Sequence, residues 1–177
     1  MNQEILCGSS CVKYILSYYN KNTNIKYNMT WITELAIELK NKRITNLKLY
    51  FYNSNLYNDY LKYKDTNYDF EGFYYLDKLI KNNIELSEVK LNKKELLKEI
   101  DSSDFIILCV ESKKFNFDNN MSGGHFIIIS DHKENKLTVI NPIKNNYESI
   151  KCDIDFIINC CKEYGSWRIL IKEDTND

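Results

Sequence analysis

The chain has little of what breaks, anchors or exports a polypeptide. It contains one proline among 177 residues, so few positions interrupt regular backbone structure. No apolar run approaches the roughly 20 residues that a transmembrane helix needs. Residues 1–7 lack both a basic region and a long apolar stretch, so no signal peptide is visible. These absences predict a cytoplasmic protein with no membrane partner.

An excess of charge of one sign is also lacking. The 24 basic and 25 acidic residues give a net charge of −1, and no run of like charge stands out. This balance favours neither nucleic acid nor an anionic membrane surface as a partner. With 44% hydrophobic residues, the chain is expected to fold as one packed domain over residues 1–177. The sequence leaves the oligomeric state open.

The spacing that marks a metal site is absent as well. The six cysteines include no C-x-x-C pair, and the chain has only two histidines. A zinc site needs about four convergent ligands, so the sequence predicts neither a metal nor another cofactor. Without a secretion signal, the cysteines are expected to be reduced thiols.

Helical periodicity dominates the first half of the chain, and β-like runs dominate the second. The predicted helices are Gly8–Asn20, Trp31–Asn41 with Thr30 as its cap, Leu56–Tyr63, Phe70–Lys81, a helix to Ile100 with Asn92 as its cap, and the segment from Asp153 to Cys161. The predicted strands outside the hairpin are Leu47–Phe51, Ile84–Val89, Asp104–Val110, Tyr147–Ile150 and Ser166–Ile171. This segregation predicts an α+β domain.

One stretch of the second half has the pattern of a β-hairpin. Its first arm, His125–Ser130, is almost continuously apolar, and its second arm, Lys136–Asn141, alternates between polar and apolar residues. The polar segment Asp131–Asn135 has a common length for a hairpin loop. The apolar face of this hairpin is expected to look into the core.

The register of the hairpin decides what its ends bring together. If the loop is symmetric, Ser130 lies opposite Lys136, and counting outward places His125 opposite Asn141. Directly opposed residues share a face, with Cβ atoms about 4.5–5.5 Å apart. An asparagine beside a histidine is the arrangement that orients a catalytic imidazole. The second histidine, His132, lies in the predicted loop and is expected to be solvated.

A candidate nucleophile lies at the other end of the chain. Cys7 precedes Gly8 at the start of the first predicted helix, where the helix dipole stabilises a thiolate and lowers its pKa. Taken alone, Cys7 and His125 have plainer interpretations as a small core cysteine and a core histidine. The combination with Asn141 completes a set of nucleophile, base and orienting residue. Cys11, one turn further on, lies on the apolar stripe and is interpreted as a core residue.

Several segments resemble the double-glycine leader peptidases, the papain-like proteases attached to bacteriocin exporters. Cys7–Val12 resembles their Asp-Cys-Gly-x-Ala-Cys-Leu motif, Gly124–Ile128 resembles their histidine strand, and Val139–Pro142 resembles their Val-x-Asp-Pro segment. Trp31–Ala36 is similar to a Trp-x-x-Asp-Leu-Ala segment of the related stand-alone guanylylate-cyclase-like family. Together these matches span most of the chain.

The resemblance implies a papain-like fold, in which N-terminal helices pack on a C-terminal antiparallel sheet. It implies Cys7 as nucleophile, His125 as base and Asn141 as the orienting residue, with Gln3 and the Cys7 backbone N–H as oxyanion donors. The chain departs from the family at three positions. Asn141 stands where the family has Asp, Leu6 stands where it has Asp before the cysteine, and Gln3 lies closer to the nucleophile than the family's oxyanion glutamine.

The predicted chemistry is acyl transfer through a covalent acyl-thioenzyme. With water as acceptor, the chain would be a peptidase or amidase acting on a peptide-like substrate. With an amine as acceptor, it would be an amide synthase or acyltransferase in natural-product biosynthesis, taking its acyl group from a thioester such as that of a carrier protein.

The alternative from a different class is a catalytically inactive papain-like binding module. Iodoacetamide separates the two, because an activated Cys7 is expected to react well below neutral pH and an inactive one is not. The name guanylate cyclase finds no support in the sequence, which has neither a phosphate-binding glycine-rich loop nor paired metal-binding carboxylates.

Overall fold

The computed structural model describes residues 7–25, 28–64, 71–116, 122–143 and 146–172. Its helices are α1 Cys7–Tyr18, α2 Ile32–Asn41, α3 Asn55–Tyr63, α4 Glu71–Lys81, α5 Lys93–Ser102, α6 Ser112–Phe115 and α7 Ile154–Cys161, with a 3₁₀ turn at Lys162–Tyr164. Its strands are β1 Asn46–Phe51, β2 Glu85–Glu88, β3 Phe105–Glu111, β4 Gly124–Lys133, β5 Lys136–Ile143, β6 Asn146–Asp153 and β7 Arg168–Lys172. Within these ranges, no helix has the length and apolar character to cross a bilayer.

The predicted elements have counterparts of the same type, with ends displaced by a few residues; Phe70, the predicted start of α4, lies outside the described ranges. One predicted cap is wrong. The N-cap of α2 is Trp31 rather than Thr30, and the Trp31 side chain makes no capping bond. Instead the Thr30 N–H donates to Glu34 Oε2 over 3.0 Å. Glu34 thus satisfies a backbone donor from within the first turn, as the glutamate of a capping box does.

Seven strands form one mixed sheet in the order β2-β1-β7-β3-β4-β5-β6. β1 and β2 are parallel, and the other neighbouring pairs are antiparallel. The α+β class is confirmed, but the expectation of a C-terminal antiparallel sheet is wrong, because the sheet is mixed. β1 and β2 come from the helix-rich half and extend one edge, because α3 and α4 form the crossover that a parallel pair requires.

The sheet is covered by helices on both faces. Phe105, Ile107 and Cys109 of β3 pack in a core with α1, α2 and α4, whereas Ile106 and Leu108 pack in a second core with α5, α6 and α7. This double burial explains why β3 reads as a continuous apolar run rather than an alternating one. The two faces are called here the α1 face and the α7 face.

A buried ion pair between Glu99 and Arg168 links α5 to β7 on the α7 face of the sheet. Arg168 of β7 is fully buried, and its Nε and Nη2 atoms donate to the two carboxylate oxygens of Glu99 over 2.6 and 2.5 Å. Arg168 also donates to the carbonyls of Ser166 and Val89. Burial raises the pKa of Glu99, and the Arg168 guanidinium opposes that shift. The Arg168 guanidinium therefore stabilises the charged Glu99 carboxylate in surroundings that disfavour it.

Candidate active site

Cys7 is the first residue of α1, at the helix N-terminus that the sequence predicts. The chain packs very closely there, because a Cβ built on Gly8 would lie 2.5 Å from the Met29 carbonyl oxygen. Only glycine allows this approach. The Met29 N–H, in turn, donates to Ser9 Oγ over 3.1 Å, which holds the same segment against the first turn of α1.

The Cys7 thiol is partly buried, and burial raises its pKa. Backbone hydrogen bonds from Phe126, Gly8 and Cys7 itself oppose the shift. A bond that lowers a thiol pKa is one donated to sulfur, and the backbone donor is the N–H. The sequence-based expectation of a lowered pKa is therefore wrong, because desolvation outweighs the helix N-terminus. At neutral pH the free thiol carries its proton.

Cys11 lies one turn further along α1 and is fully buried in the core of the α1 face, as the apolar stripe predicts. Its sulfur donates to the Phe126 carbonyl oxygen over 3.5 Å. Burial, and secondarily the nearby Cys7, raises the pKa of Cys11 well above its ordinary value. A thiol so strongly held in its protonated form is a poor nucleophile.

The hairpin forms, but its turn and register differ from the prediction. β4 and β5 are joined by the two residues Glu134 and Asn135 rather than by a five-residue loop, and Lys133 pairs with Lys136. His132 accordingly lies in β4 rather than in a loop, and its Nε2 lies 2.9 Å from Asp101 Oδ1. A glutamate with a positive φ in the turn allows this tight connection.

A β-bulge then shifts the register by one residue. Asp131 pairs with Thr138, but Ile129 pairs with Val139, so Ser130 is an extra residue in β4. Without the bulge, the turn would place Asn141 opposite Ile128 and on the face away from His125. With it, the register places Asn141 opposite Ile127, on the same face as His125.

His125 and Asn141 are therefore diagonal neighbours rather than directly opposed residues. Diagonal pairs lie within reach of long side chains, and His125 Nε2 lies 2.7 Å from Asn141 Oδ1. Asn141 is buried, and the imidazole ring packs against Phe115 with the ring centroids 5.8 Å apart. Burial lowers the pKa of His125, and the bond to Asn141 opposes that shift.

The thiol and the imidazole approach β4 from opposite faces. α1 packs on the α1 face, whereas His125 follows the alternation of Ile127 and Ile129 onto the α7 face. Between them lies the part of the sheet where β4 and β5 are no longer paired, which is called here the opening of the sheet. Pairing of β4 with β5 ends at Ile128, although pairing of β4 with β3 continues to Gly124.

The backbone of Phe126 borders this opening. The N–H of its β3 partner Cys109 donates away from it, to Trp167 O over 3.1 Å. The Phe126 N–H and C=O are turned instead to the sulfurs of Cys7 and Cys11. The first two turns of α1, through Cys7 and Cys11, thus contact the edge of β4 that β5 leaves unpaired, while His125 and Asn141 bridge the two strands on the other face.

A cavity of about 570 Å³ opens on the α1 face beside this arrangement. Its apolar wall consists of Trp31, Ile32, Leu56, Phe126, Tyr164 and Trp167. We call it the tryptophan pocket. A separate cavity of about 370 Å³ is lined by charged groups of β1 and α5, such as Lys48 and Glu99, and by none of the predicted site residues.

The predicted site residues are thus brought together to different degrees. His125 and Asn141 are in contact, Cys7 bonds to the residue that follows His125, and Gln3 lies outside the described residues. Sequence reasoning missed Phe115 and the Phe126 backbone. No sequence signal marks a backbone N–H, since every residue except proline has one. Among the described residues, no three His, Cys, Asp or Glu side chains come together in a way that could hold a metal ion.

Comparisons of the chain with protein-family models, with curated proteins and with solved structures find no match. The function of this chain is therefore inferred from its own residues and contacts.

Proposed function

We propose that this chain is a cysteine-dependent acyl-transfer enzyme with a papain-like fold, in which Cys7, His125 and Asn141 act together. The observation that carries the proposal is the 2.7 Å contact between His125 and Asn141 at the end of β4 where the Cys7 thiol bonds to the Phe126 N–H. The substrate is a peptide-like amide or an acyl thioester. The other histidine, His132, contacts the carboxylate of Asp101 rather than an amide.

The Asn141 contact determines which imidazole nitrogen is the base. A carbonyl oxygen only accepts, so His125 Nε2 carries the proton that is donated to Asn141 Oδ1. The lone pair is then on Nδ1, which is the atom available to accept the Cys7 proton. Asn141 thereby selects the tautomer, the role that the orienting residue of a catalytic triad performs.

The reaction follows from these roles. Cys7 Sγ attacks the substrate carbonyl carbon while its proton passes to His125 Nδ1, and the Cys7 backbone N–H stabilises the oxyanion. When the intermediate collapses, the bond to the amine or thiol leaving group breaks and that group takes the proton from Nδ1. The acyl-thioester on Cys7 is then attacked by water or by an amine, which regenerates the thiol and releases an acid or an amide.

Trapping the acyl group tests the proposal. We expect incubation with an acyl thioester of N-acetylcysteamine to add one acyl mass to Cys7, located by peptide mass spectrometry. Hydroxylamine or glycine amide added as acceptor separates aminolysis from hydrolysis, since only aminolysis yields the hydroxamate or the amide. An adduct on no cysteine, or an adduct on Cys11 with Cys7 unmodified, contradicts the assignment.

The pH dependence of activity follows from the two shifted pKa values. His125 accepts a proton only when neutral, and burial lowers its pKa. The acidic limb of kcat/KM is therefore expected to have its midpoint below about pH 6.5, the usual histidine value. Because burial raises the Cys7 pKa, alkylation by iodoacetamide is expected to keep rising through neutral pH even in an active enzyme. The pH at which iodoacetamide reacts therefore does not separate the enzyme from an inactive binding module, and acyl trapping does. An acidic limb centred above about pH 7 would contradict this arrangement.

Replacing Asn141 is expected to impair the enzyme without inactivating it. Asn141→Ala removes the acceptor for Nε2–H, and we expect kcat to fall by about 10²-fold or more. Asn141→Asp keeps an acceptor at the same position and is expected to retain activity. The measurement is kcat for both variants beside His125→Ala, which is expected to be the most impaired of the three. A wild-type rate in Asn141→Ala would mean that Asn141 has only a structural role.

One observation favours a second candidate, an inactive papain-like binding module. The imidazole lies on the α7 face while α1 carries the thiol on the other, and burial keeps the resting thiol protonated. A binding module would bind acyl compounds in the tryptophan pocket and form no adduct on Cys7. The trapping experiment therefore distinguishes the two functions directly.

A further inference from the structure

The tryptophan pocket shares its wall with the opening that holds the Cys7 thiol. The Phe126 ring forms part of the pocket, and the Phe126 N–H bonds to the Cys7 sulfur. Cys109, the β3 partner of Phe126, and Gly124 also line the pocket. A group bonded to Cys7 on the α1 face therefore has this pocket beside it.

The side chains that line the tryptophan pocket are uncharged. No formally charged side chain is among the described residues that line the pocket, although 28% of the chain is charged. Four of the six residues of the apolar wall are aromatic, and the polar groups that line the pocket are hydroxyls, amides and the Cys109 thiol. A carboxylate or ammonium placed there would lose water without gaining a charged partner.

The size of the pocket indicates how much it can hold. A volume of about 570 Å³ lies within the range of cavities that bind small organic ligands. The wall next to Cys109 has little space for a side chain at position 124. A Cβ on Gly124 would lie 3.1 Å from Cys109 Sγ and 3.6 Å from the Tyr164 ring. Gly124 thus leaves room in the pocket beside Cys109 and Tyr164.

We propose that the tryptophan pocket binds the acyl part of the substrate and selects an uncharged, apolar or aromatic acyl group. The proposal rests on acyl transfer at Cys7. Leu56, a half-buried residue in the first turn of α3, lines the pocket, and a larger side chain at this position would reduce the free volume.

Binding can be measured apart from catalysis, because the only two tryptophans of the chain, Trp31 and Trp167, both line the pocket. In the Cys7→Ala variant, 3-phenylpropionamide is expected to change the intrinsic tryptophan fluorescence saturably. Succinamate, a charged amide, is expected to cause no saturable change. Equal responses to both compounds would overturn the selection against charge.

Selectivity is measured with N-acetylcysteamine thioesters on the intact Cys7 protein. We expect kcat/KM for the 3-phenylpropionyl thioester to exceed that for the acetyl thioester by at least tenfold, and butyryl to exceed succinyl by a similar factor. Leu56→Trp is expected to reduce kcat/KM for 3-phenylpropionyl at least tenfold and to leave acetyl within twofold. Leu56→Ala is expected to retain kcat/KM for the 3-phenylpropionyl thioester. This second variant keeps the test decisive if Leu56→Trp folds poorly.

Leu61→Trp is the matched control, since Leu61 lies on the same helix, is 50% exposed and does not line the pocket. It is expected to behave as wild type with every thioester. If Cys7 is acylated at equal rates by all four thioesters and Leu56→Trp changes nothing, the pocket proposal is overturned and acyl transfer stands. If 3-phenylpropionamide binds but no thioester modifies Cys7, acyl transfer is overturned and the pocket stands as a ligand site.

Discussion

Replacing Cys7 with alanine is expected to reduce the turnover of acyl thioesters by at least about 10⁴-fold, because it removes the sulfur to which the acyl group is bonded in the proposed intermediate. The fold should persist, since Cys7 lies at the end of α1 and is only partly buried. Circular dichroism and the thermal midpoint are expected to match wild type. The measurement is single-turnover acyl transfer with mass analysis of the protein.

The neighbouring Cys11 provides the control. Cys11→Ala removes a sulfur from a fully buried site and a hydrogen bond to Phe126, so we expect a loss of about 1 kcal/mol of unfolding free energy. Activity is expected to remain. The opposite pattern, an inactive Cys11→Ala and an active Cys7→Ala, would exchange the roles assigned to the two cysteines.

Replacing Arg168 with alanine is expected to be the most destabilising of the proposed changes, at about 3–5 kcal/mol. Arg168 is fully buried and satisfies both oxygens of Glu99. Removing it leaves Glu99 either charged without a partner or protonated, and it also leaves a cavity beside Val89 and Ser166. Equilibrium urea unfolding measures the change.

Two further variants separate charge from packing. The double variant Glu99→Leu, Arg168→Met removes both charges and is expected to be more stable than Arg168→Ala, because no unpaired charge stays buried. Lys136→Ala breaks the exposed contact with Asp153 and is expected to cost less than about 1 kcal/mol. A loss in Arg168→Ala no larger than that of Lys136→Ala would show that the buried pair contributes little.

Local pattern was sufficient to locate the elements. The stripe of α1, the asparagine cap of α5 and the apolar run of β3 each depend on residues within one or two turns of each other, or on a single strand. Intrinsic preference and burial act in the same direction there, so the sequence predicts both element and buried face. The cap of α2 was missed because Glu34, not Thr30, supplies the bond from its side chain.

The contact between His125 and Asn141 was predicted, but from a hairpin register that differs from the observed one. The predicted five-residue loop and the observed turn differ, and the bulge at Ser130 restores the shared face. Alternation along a strand is visible in the sequence, but an unpaired residue within a strand is not, because its cost is balanced by contacts with distant elements. The contact itself is diagonal rather than direct.

The rest of the site depends on which distant segments meet. The sequence was enough to predict an α+β chain with a cysteine at a helix start and a histidine and an asparagine on one hairpin face. Tertiary packing determined that α1 contacts the edge of β4 that β5 leaves unpaired and that Trp31 and Trp167 line one pocket. It also determined that burial raises the Cys7 pKa. These features depend on desolvation and on contacts across more than a hundred residues, such as Cys11 with Phe126, which no local pattern encodes.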